Sequence, residues 1–108
     1  MKTDGNITVE WAPFNTSLEV TENQLLEAAE QFESQFLSQQ EGYIRRELLK
    51  GKENNWVDLI HWQSEKSAAQ AFSAASKSEV CGHYFSLMQA NENGESGVAH
   101  FTQLSHWN

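Results

Sequence analysis

The sequence predicts an α+β fold of the ferredoxin-like βαββαβ type, in which one antiparallel four-stranded sheet carries two helices on one face. Two kinds of segment favour this fold. Short segments have the composition or the period-two alternation of strands, and two longer segments repeat their apolar residues at helical spacing. Along the chain they follow the order strand, helix, strand, strand, helix, strand. The length of 108 residues fits a single domain over residues 1–108.

The first strand and the first helix occupy the N-terminal third of the chain. Segment 7–14 alternates apolar and polar residues, as a strand with one buried face does. The sequence TENQ at 21–24 has the pattern of a capping box. A helix with one apolar stripe should follow and end near Gly42. The apolar residues of the strand are Ile7, Val9 and Trp11. Those of the helical stripe are Leu25, Leu26, Ala29, Phe32, Phe36 and Leu37.

The remaining elements follow from the same signals. Segments 43–50 and 56–62 have strand character, and the polar GKENN between them is short enough for a hairpin, so the two should pair antiparallel. Ser64 can cap a second helix whose small apolar residues allow close packing on the sheet. We interpret the C-terminal part as a short extra turn or helix, a polar loop and the final strand, at 79–88, 89–97 and 98–107.

The third strand is apolar on both faces, although two helices can cover only one of them. One face carries Val57, Leu59 and His61, and the other carries Trp56, Ile60 and Trp62, interrupted only by Asp58. A second copy is the simplest cover for the remaining face, so we predict a twofold homodimer with facing sheets. Since neighbouring strand residues point to opposite sides, His61 and Trp62 cannot both line one pocket. Which of them faces the helices stays open.

Composition limits the possible partners and location. Fifteen acidic residues against seven basic ones, a net charge of -8, leave no basic stripe, so nucleic acid and anionic membrane are excluded as expected partners. Cys81 is the only cysteine, which rules out an intramolecular disulfide and fits a reducing compartment. The N-terminus resembles no secretory signal, and no apolar run is long enough to cross a bilayer. We therefore expect a soluble cytoplasmic protein.

The run VDLIHWQSEKSAAQAF, followed by SEVCGHYFSLM, resembles the antibiotic biosynthesis monooxygenase family of the dimeric α/β barrel superfamily. The agreement in element order extends over nearly the whole chain. The resemblance implies a barrel formed by two copies and a monooxygenase that acts on a small aromatic or quinol substrate without metal or flavin. Such a pocket deprotonates the substrate, which then reduces oxygen itself, so it needs a base, an oxyanion partner and an apolar cavity. We expect no cofactor and no metal.

The resemblance also suggests site residues. Trp62 matches the tryptophan at the end of the family's third strand, and His83 lies where the haem-degrading branch places its axial histidine. The predicted catalytic base is His83 or His61, because the ordinary pKa of an imidazole suits proton transfer near neutrality. Four aromatic residues are predicted to bind the substrate and line its cavity: Trp11, Trp62, Tyr84 and Phe85.

Departures from the family's patterns leave two alternatives. The haem-degrading branch has an asparagine on the first strand, where this chain has Trp11 and its neighbours, and a tryptophan in the second helix, where it has Ala71 and Phe72. Many quinol-type members carry a histidine in that helix, and this chain has none. One alternative is a non-catalytic homodimer that binds a small apolar ligand or is structural. The other is a haem-binding protein. His100 and His106, about 20 Å apart on one strand, are too distant to share a metal.

Overall fold

The computed structural model describes residues 6–89 and 97–107. It confirms the α+β ferredoxin-like fold: four strands form one antiparallel sheet in which the second, third, first and fourth strands of the chain lie side by side in that order, with helices packed on one face. The strands are β1 (Thr8–Asn15), β2 (Tyr43–Lys50), β3 (Asn55–Trp62) and β4 (Ala99–Thr102). The helices are α1 (Glu22–Gln35), α2 (Glu65–Ala75) and α3 (Glu79–Ser86), with a short 3-10 turn at Leu37–Gln39. Among the described residues, no helix is long and apolar enough to span a bilayer.

The helix starts follow the capping signals in the sequence. The Thr21 hydroxyl accepts from the Gln24 amide at 3.1 Å, while the Gln24 side chain accepts from the Thr21 amide at 2.8 Å, so the predicted capping box is confirmed. Ser64 caps α2 by accepting from the Ser67 amide at 3.0 Å. Ser78 caps α3 in the same way. These side chains satisfy amide groups that have no partner inside a helix.

Gly42 does not end α1, which stops at Gln35 and is followed by the 3-10 turn. Gly42 has φ +86°, a conformation that favours glycine, and a Cβ there would lie 2.1 Å from the Ser67 hydroxyl oxygen. Its carbonyl accepts from the Gln63 amide at 2.7 Å. The glycine therefore lets the start of β2 approach the first turn of α2.

The strand register defines the two faces of the sheet. Because Trp62 and Asp58 contact side chains of β1 and α3, the even-numbered residues of β3 face the helices, and His61 lies on the opposite, open face. The helix-facing residues of β1 are Thr8, Glu10, Ala12 and Phe14. The apolar side of β1, which carries Ile7, Val9 and Trp11, lies on the open face, because pairing with β3 places the alternate residues under the helices. Trp11 stays exposed there.

The final strand is shorter than predicted. It pairs with β1 only from Ala99 to Thr102, and the amide of Gln103 makes a last bond to the Ile7 carbonyl at 2.8 Å. The strand prediction for 98–107 is therefore wrong beyond Thr102, and His106 does not share a strand face with His100. Most of the predicted polar loop at 89–97 lies outside the described residues.

Candidate functional site

A buried network of charged and polar side chains connects β2, β3 and α3. The Arg46 guanidinium donates to Asp58 at 2.7 Å through Nε and to the Tyr84 hydroxyl at 2.8 Å through Nη2. Its Nη1 donates to the Ala29 carbonyl of α1 at 2.9 Å. Tyr84 in turn donates to the second Asp58 oxygen at 2.6 Å. The three side chains thus form a closed ring of hydrogen bonds in the helix-facing layer.

Charge and aromatic packing hold this network in one state. Burial disfavours the charged guanidinium, but the adjacent Asp58 carboxylate outweighs it and raises the pKa of Arg46. Burial, followed by the negative charge of Asp58, raises the pKa of Tyr84, which stays protonated. The Arg46 guanidinium also lies 5.0 Å from the centroid of the Phe32 ring. Tyr84 uses its hydroxyl inside the network, so it does not present a free hydrogen bond to a substrate.

A second cluster lies on the same face, towards β4. The indole N–H of Trp62 donates to the Glu10 carboxylate at 3.1 Å, and Nε2 of His100 lies 3.6 Å from the same oxygen. Strand pairing creates this arrangement, since Glu10 sits opposite Ile60 on β3 and opposite His100 on β4. Trp62 is 1% exposed, whereas the side chains of Glu10 and His100 are 19% and 39% exposed. The carboxylate is therefore partly buried and can be reached from the β4 edge.

The environment of Glu10 changes its acidity. Burial is the main cause that raises the pKa of the Glu10 carboxyl, and the charge of Asp58 acts in the same direction. The hydrogen bond from Trp62 and the neighbouring His100 act against this rise. A carboxylate whose pKa lies above its ordinary value, next to an imidazole, is suited to accept a proton from a weak acid. The cluster can therefore act as a general base.

Tyr43 supports Trp62 from the other side. Its ring meets the Trp62 indole edge-on with 5.8 Å between centroids, and its hydroxyl donates to the two Glu33 oxygens at 2.7 and 2.8 Å. Burial and the hydrogen bond to Glu33 raise the pKa of Tyr43, so this phenol stays protonated. The hydrogen bonds to Glu33 of α1 thus hold the Tyr43 ring in place, and the Tyr43 ring in turn holds the Trp62 indole.

The two predicted catalytic histidines lie apart. His83 is exposed on α3. His61 is buried on the open face, where Nη2 of Arg45 lies 3.4 Å from its Nε2. Burial and then Arg45 lower the pKa of His61, and Glu47 partly opposes them. The structure does not bring the two imidazoles into one site, and their catalytic roles stay predictions.

The predicted aromatic lining is also divided between the two sides of the sheet. Trp62 of β3 and Tyr84 of α3 are buried between the sheet and the helices. Phe85 of α3 packs on Phe32 with 5.8 Å between ring centroids while staying partly exposed. Trp11 lies on the open face. Substrate binding by these four residues stays a prediction. Sequence reasoning did not identify Glu10, because the alternation of segment 7–14 places it on the polar side of the strand, where an acidic residue is ordinary.

Two open depressions lie on the surface formed by the described residues. One, of about 280 Å³, lies at the hairpin end of the sheet. The other, of about 220 Å³, lies between α1 and β2. Neither adjoins Glu10, His61 or His83. Among the described residues, no group of three or more His, Cys, Asp or Glu side chains could hold a metal ion.

Comparison with known proteins identifies the fold. No protein-family model matches the sequence, and no curated protein matches it significantly. Among solved structures, SnoaB from Streptomyces nogalater, a cofactor-independent oxygenase, superposes with a TM-score of 0.73 at 14% identity, covering 94% of this chain and 96% of that chain. A proposed antibiotic biosynthesis monooxygenase from Nitrosomonas europaea gives a TM-score of 0.69 at 14% identity, covering 96% of both chains.

A third such structure, from Caulobacter crescentus, gives a TM-score of 0.62 at 11% identity and covers 94% of this chain and 92% of that chain. All three matches extend over nearly the full length of both partners. The identities are low, so what is shared is the arrangement of the elements. The chain therefore has the fold of the antibiotic biosynthesis monooxygenases.

Proposed function

We propose that this chain is a homodimeric, cofactor-independent monooxygenase-like protein that acts on a small aromatic or quinol substrate. The observation that carries the proposal is the partly buried Glu10 carboxylate, held by the Trp62 indole at 3.1 Å beside His100. It supplies the base that such chemistry needs, on a fold shared with a cofactor-independent oxygenase.

In this mechanism Glu10 accepts the proton of the substrate's acidic hydroxyl or ring carbon. The anion transfers an electron pair to O2 and forms a C–O bond at the ring carbon, which gives a hydroperoxide after protonation. Loss of the remaining proton from that carbon then breaks the O–O bond, so that one oxygen atom stays in the product as a carbonyl and the other leaves as water. The Trp62 N–H orients the carboxylate, and the exposed edge of His100 gives the proton a route to solvent. Burial serves the step because it raises the pKa of Glu10, which makes the carboxylate a stronger base.

The test is oxygen uptake with a panel of anthrones and quinols. We expect Glu10→Gln to reduce kcat by about 10²-fold or more, because removal of a general base costs that much. Trp62→Phe keeps the aromatic bulk but loses the indole N–H, and should cause a smaller reduction. His83→Ala and His61→Ala test the two imidazoles first predicted as bases. If either histidine variant lost activity while Glu10→Gln kept it, the base assignment to Glu10 would be wrong.

A second candidate function is a non-catalytic protein with the same fold. The filled helix-facing layer favours it, since Trp62 and Tyr84 are almost fully buried and neither surface depression adjoins Glu10. The absence of oxygen uptake across the whole panel, together with a folded wild-type protein, would support this candidate. The haem hypothesis gains no support from the exposed position of His83. It predicts a Soret band on mixing with haem that His83→Ala abolishes.

The homodimer forms part of the proposal. Trp11, Leu49 and Phe101 are large apolar side chains left exposed on the open face, and a second copy would bury them. One chain has a mass of 12.3 kDa, and light scattering at micromolar concentration should give twice this mass. A monomer under these conditions would refute the self-association. The single buried cysteine, Cys81, supports the proposal of a cytoplasmic location.

A further inference from the structure

The open face carries side chains in rows that cross the strands. Pairing places Leu49, Val57 and Pro13 side by side in one row, at the hairpin end of the sheet. The next rows towards the other end contain Glu47, Leu59, Trp11 and Ala99, and then Arg45, His61, Val9 and Phe101. The first row lines the depression of about 280 Å³. This volume lies just below the range of about 300–1,000 Å³ typical of small-molecule pockets, and suits one large side chain.

A segment with exposed apolar residues leaves the opposite end of the same sheet. We name residues 103–107, which follow β4, the C-terminal arm. Leu104 and Trp107 of this arm are each 87% exposed. One tryptophan can bury about 150–250 Å² of surface, so leaving it in water forgoes a large hydrophobic gain. The arm is therefore expected to contact another surface.

The arm cannot reach the depression of its own chain. Gln103 lies beside Ile7, and Ile7 and Pro13 are about 20 Å apart along the strand. Val57 is paired with Pro13 on the neighbouring strand, about 5 Å further across the sheet. Residues 104–107 extend at most about 14 Å, and β4 runs away from the depression because it is antiparallel to β1.

A second copy brings the two features together. A twofold axis that lies between facing sheets and runs across the strands reverses their direction, so each arm meets the hairpin end of the other sheet. Arg45 and Glu47 lie two residues apart on the open face. The twofold rotation can therefore bring the Arg45 of each copy opposite the Glu47 of the other, which pairs opposite charges. The register that pairs Arg45 with Glu47 of the second copy places Gln103 over the row of Pro13 and Val57 of that copy.

We propose that the C-terminal arm crosses to a second copy and inserts Trp107 into the depression formed there by Leu49, Val57 and Pro13. Each dimer then contains two such contacts, one at each end of the interface. This inference rests on the proposed homodimer and adds the segment that holds it together. The arm contributes an aromatic anchor to an apolar pocket, which is the usual composition of an interface hot spot.

The first test measures the dimer dissociation constant by sedimentation. We expect Trp107→Ala to raise it about 30-fold or more, as loss of an interface tryptophan does, and Trp107→Phe to recover part of the affinity. Phe72→Ala is the matched control, because Phe72 is an exposed aromatic on α2, on the other side of the sheet. If Trp107→Ala and Phe72→Ala dimerised equally well, the arm contact would be refuted.

The second test is chemical cross-linking with a bismaleimide. His106→Cys and Asn55→Cys place thiols on the arm and at the rim of the depression, while the native Cys81 is buried. A chain with only His106→Cys, mixed with a tagged chain carrying only Asn55→Cys, should give a covalent heterodimer. If the protein is dimeric by light scattering but no covalent heterodimer forms, the arm exchange is refuted and the proposed homodimer is not. A monomeric wild type would overturn both.

Discussion

The two faces of the sheet treat buried polar groups differently. On the helix-facing side, the charges of Arg46 and Asp58 are buried with Tyr84, and each takes part in several hydrogen bonds within one chain. On the open side, His61 is buried with Nδ1 unpartnered, next to apolar side chains that remain in water. The charges of the helix-facing layer are thus paired within a single chain, whereas in the proposed homodimer a second copy would cover the open layer.

The two faces differ in how they pair buried charges, but each of them contains an unpartnered polar atom. Among the described residues, the buried side-chain atoms without a partner are Nε1 of Trp56 on the helix-facing side and Nδ1 of His61 on the open side. The Lys50 ammonium lies over the Trp56 ring, 5.8 Å from the ring centroid, in a cation–π contact. An unpartnered indole N–H costs less than an unpartnered charge, so the helix-facing layer tolerates it.

The largest expected effect comes from breaking the helix-facing network. Asp58→Ala leaves the Arg46 guanidinium, only 6% exposed, without its carboxylate, which should reduce the free energy of unfolding by about 3–5 kcal/mol. Glu47→Ala removes a carboxylate on the open face of the neighbouring strand and should cost less than about 1 kcal/mol. Urea unfolding at one fixed protein concentration measures both. Similar losses in the two variants would remove the proposed contrast between the faces.

The open face should instead respond through association. Leu59→Arg puts a charge at the centre of that face, and we expect it to weaken dimerisation by about 2–4 kcal/mol, or roughly 30-fold to 1,000-fold. Sedimentation measures this change. The unfolding free energy of the monomer should change by less than about 1 kcal/mol, because Leu59 has no helix over it. Phe72→Arg on the outer side of α2 is the control and should leave dimerisation unchanged.

Much of the fold could be predicted because its signals are local. The capping residues Thr21 and Ser64, the apolar stripe of α1 and the short GKENN connection each depend on neighbours in sequence. The buried side of β1 could not be predicted in this way. Alternation defines two faces but does not say which one the helices cover; the register with β3 decides it, by placing Glu10 opposite Ile60.

The candidate site depends on this same non-local information. Trp62 could be proposed from its position at the end of β3, but its partners Glu10 and His100 come from two other strands. The end of β4 is a further example. Its ladder stops because β1 begins at Thr8 and offers one more carbonyl, at Ile7, to the amide of Gln103. Composition alone gave no sign that the following residues would leave the sheet.

A smaller effect is expected at the Glu10 cluster, where the free energy of unfolding should depend on pH. Since the folded-state pKa of Glu10 is raised above its ordinary value of 4.5, the folded protein holds this proton more tightly than the unfolded chain. The wild type therefore loses stability relative to Glu10→Gln as the pH rises from about 4.5 towards the raised pKa. Urea unfolding at pH 4 and pH 8 measures the difference between the two proteins. Trp62→Phe, which removes the hydrogen bond that opposes the rise, should steepen this dependence of stability on pH. A difference that is the same at both pH values would argue against a raised pKa.

The smallest expected effect lies at His61 and has the opposite sign. Its folded-state pKa is lowered from 6.5 by burial and by Arg45, with Glu47 acting against them, so the unfolded chain binds the proton more readily. The wild type should therefore lose stability as the pH falls from about 6.5 towards the lowered pKa, and His61→Gln should not show this loss. Urea unfolding of both proteins at pH 5.5 and pH 7.5 checks it. Protonation also puts a charge on the face that a second copy would cover, so the wild-type dimer should weaken over the same interval. Equal dimer dissociation constants at the two pH values would show that His61 lies outside the contact between copies.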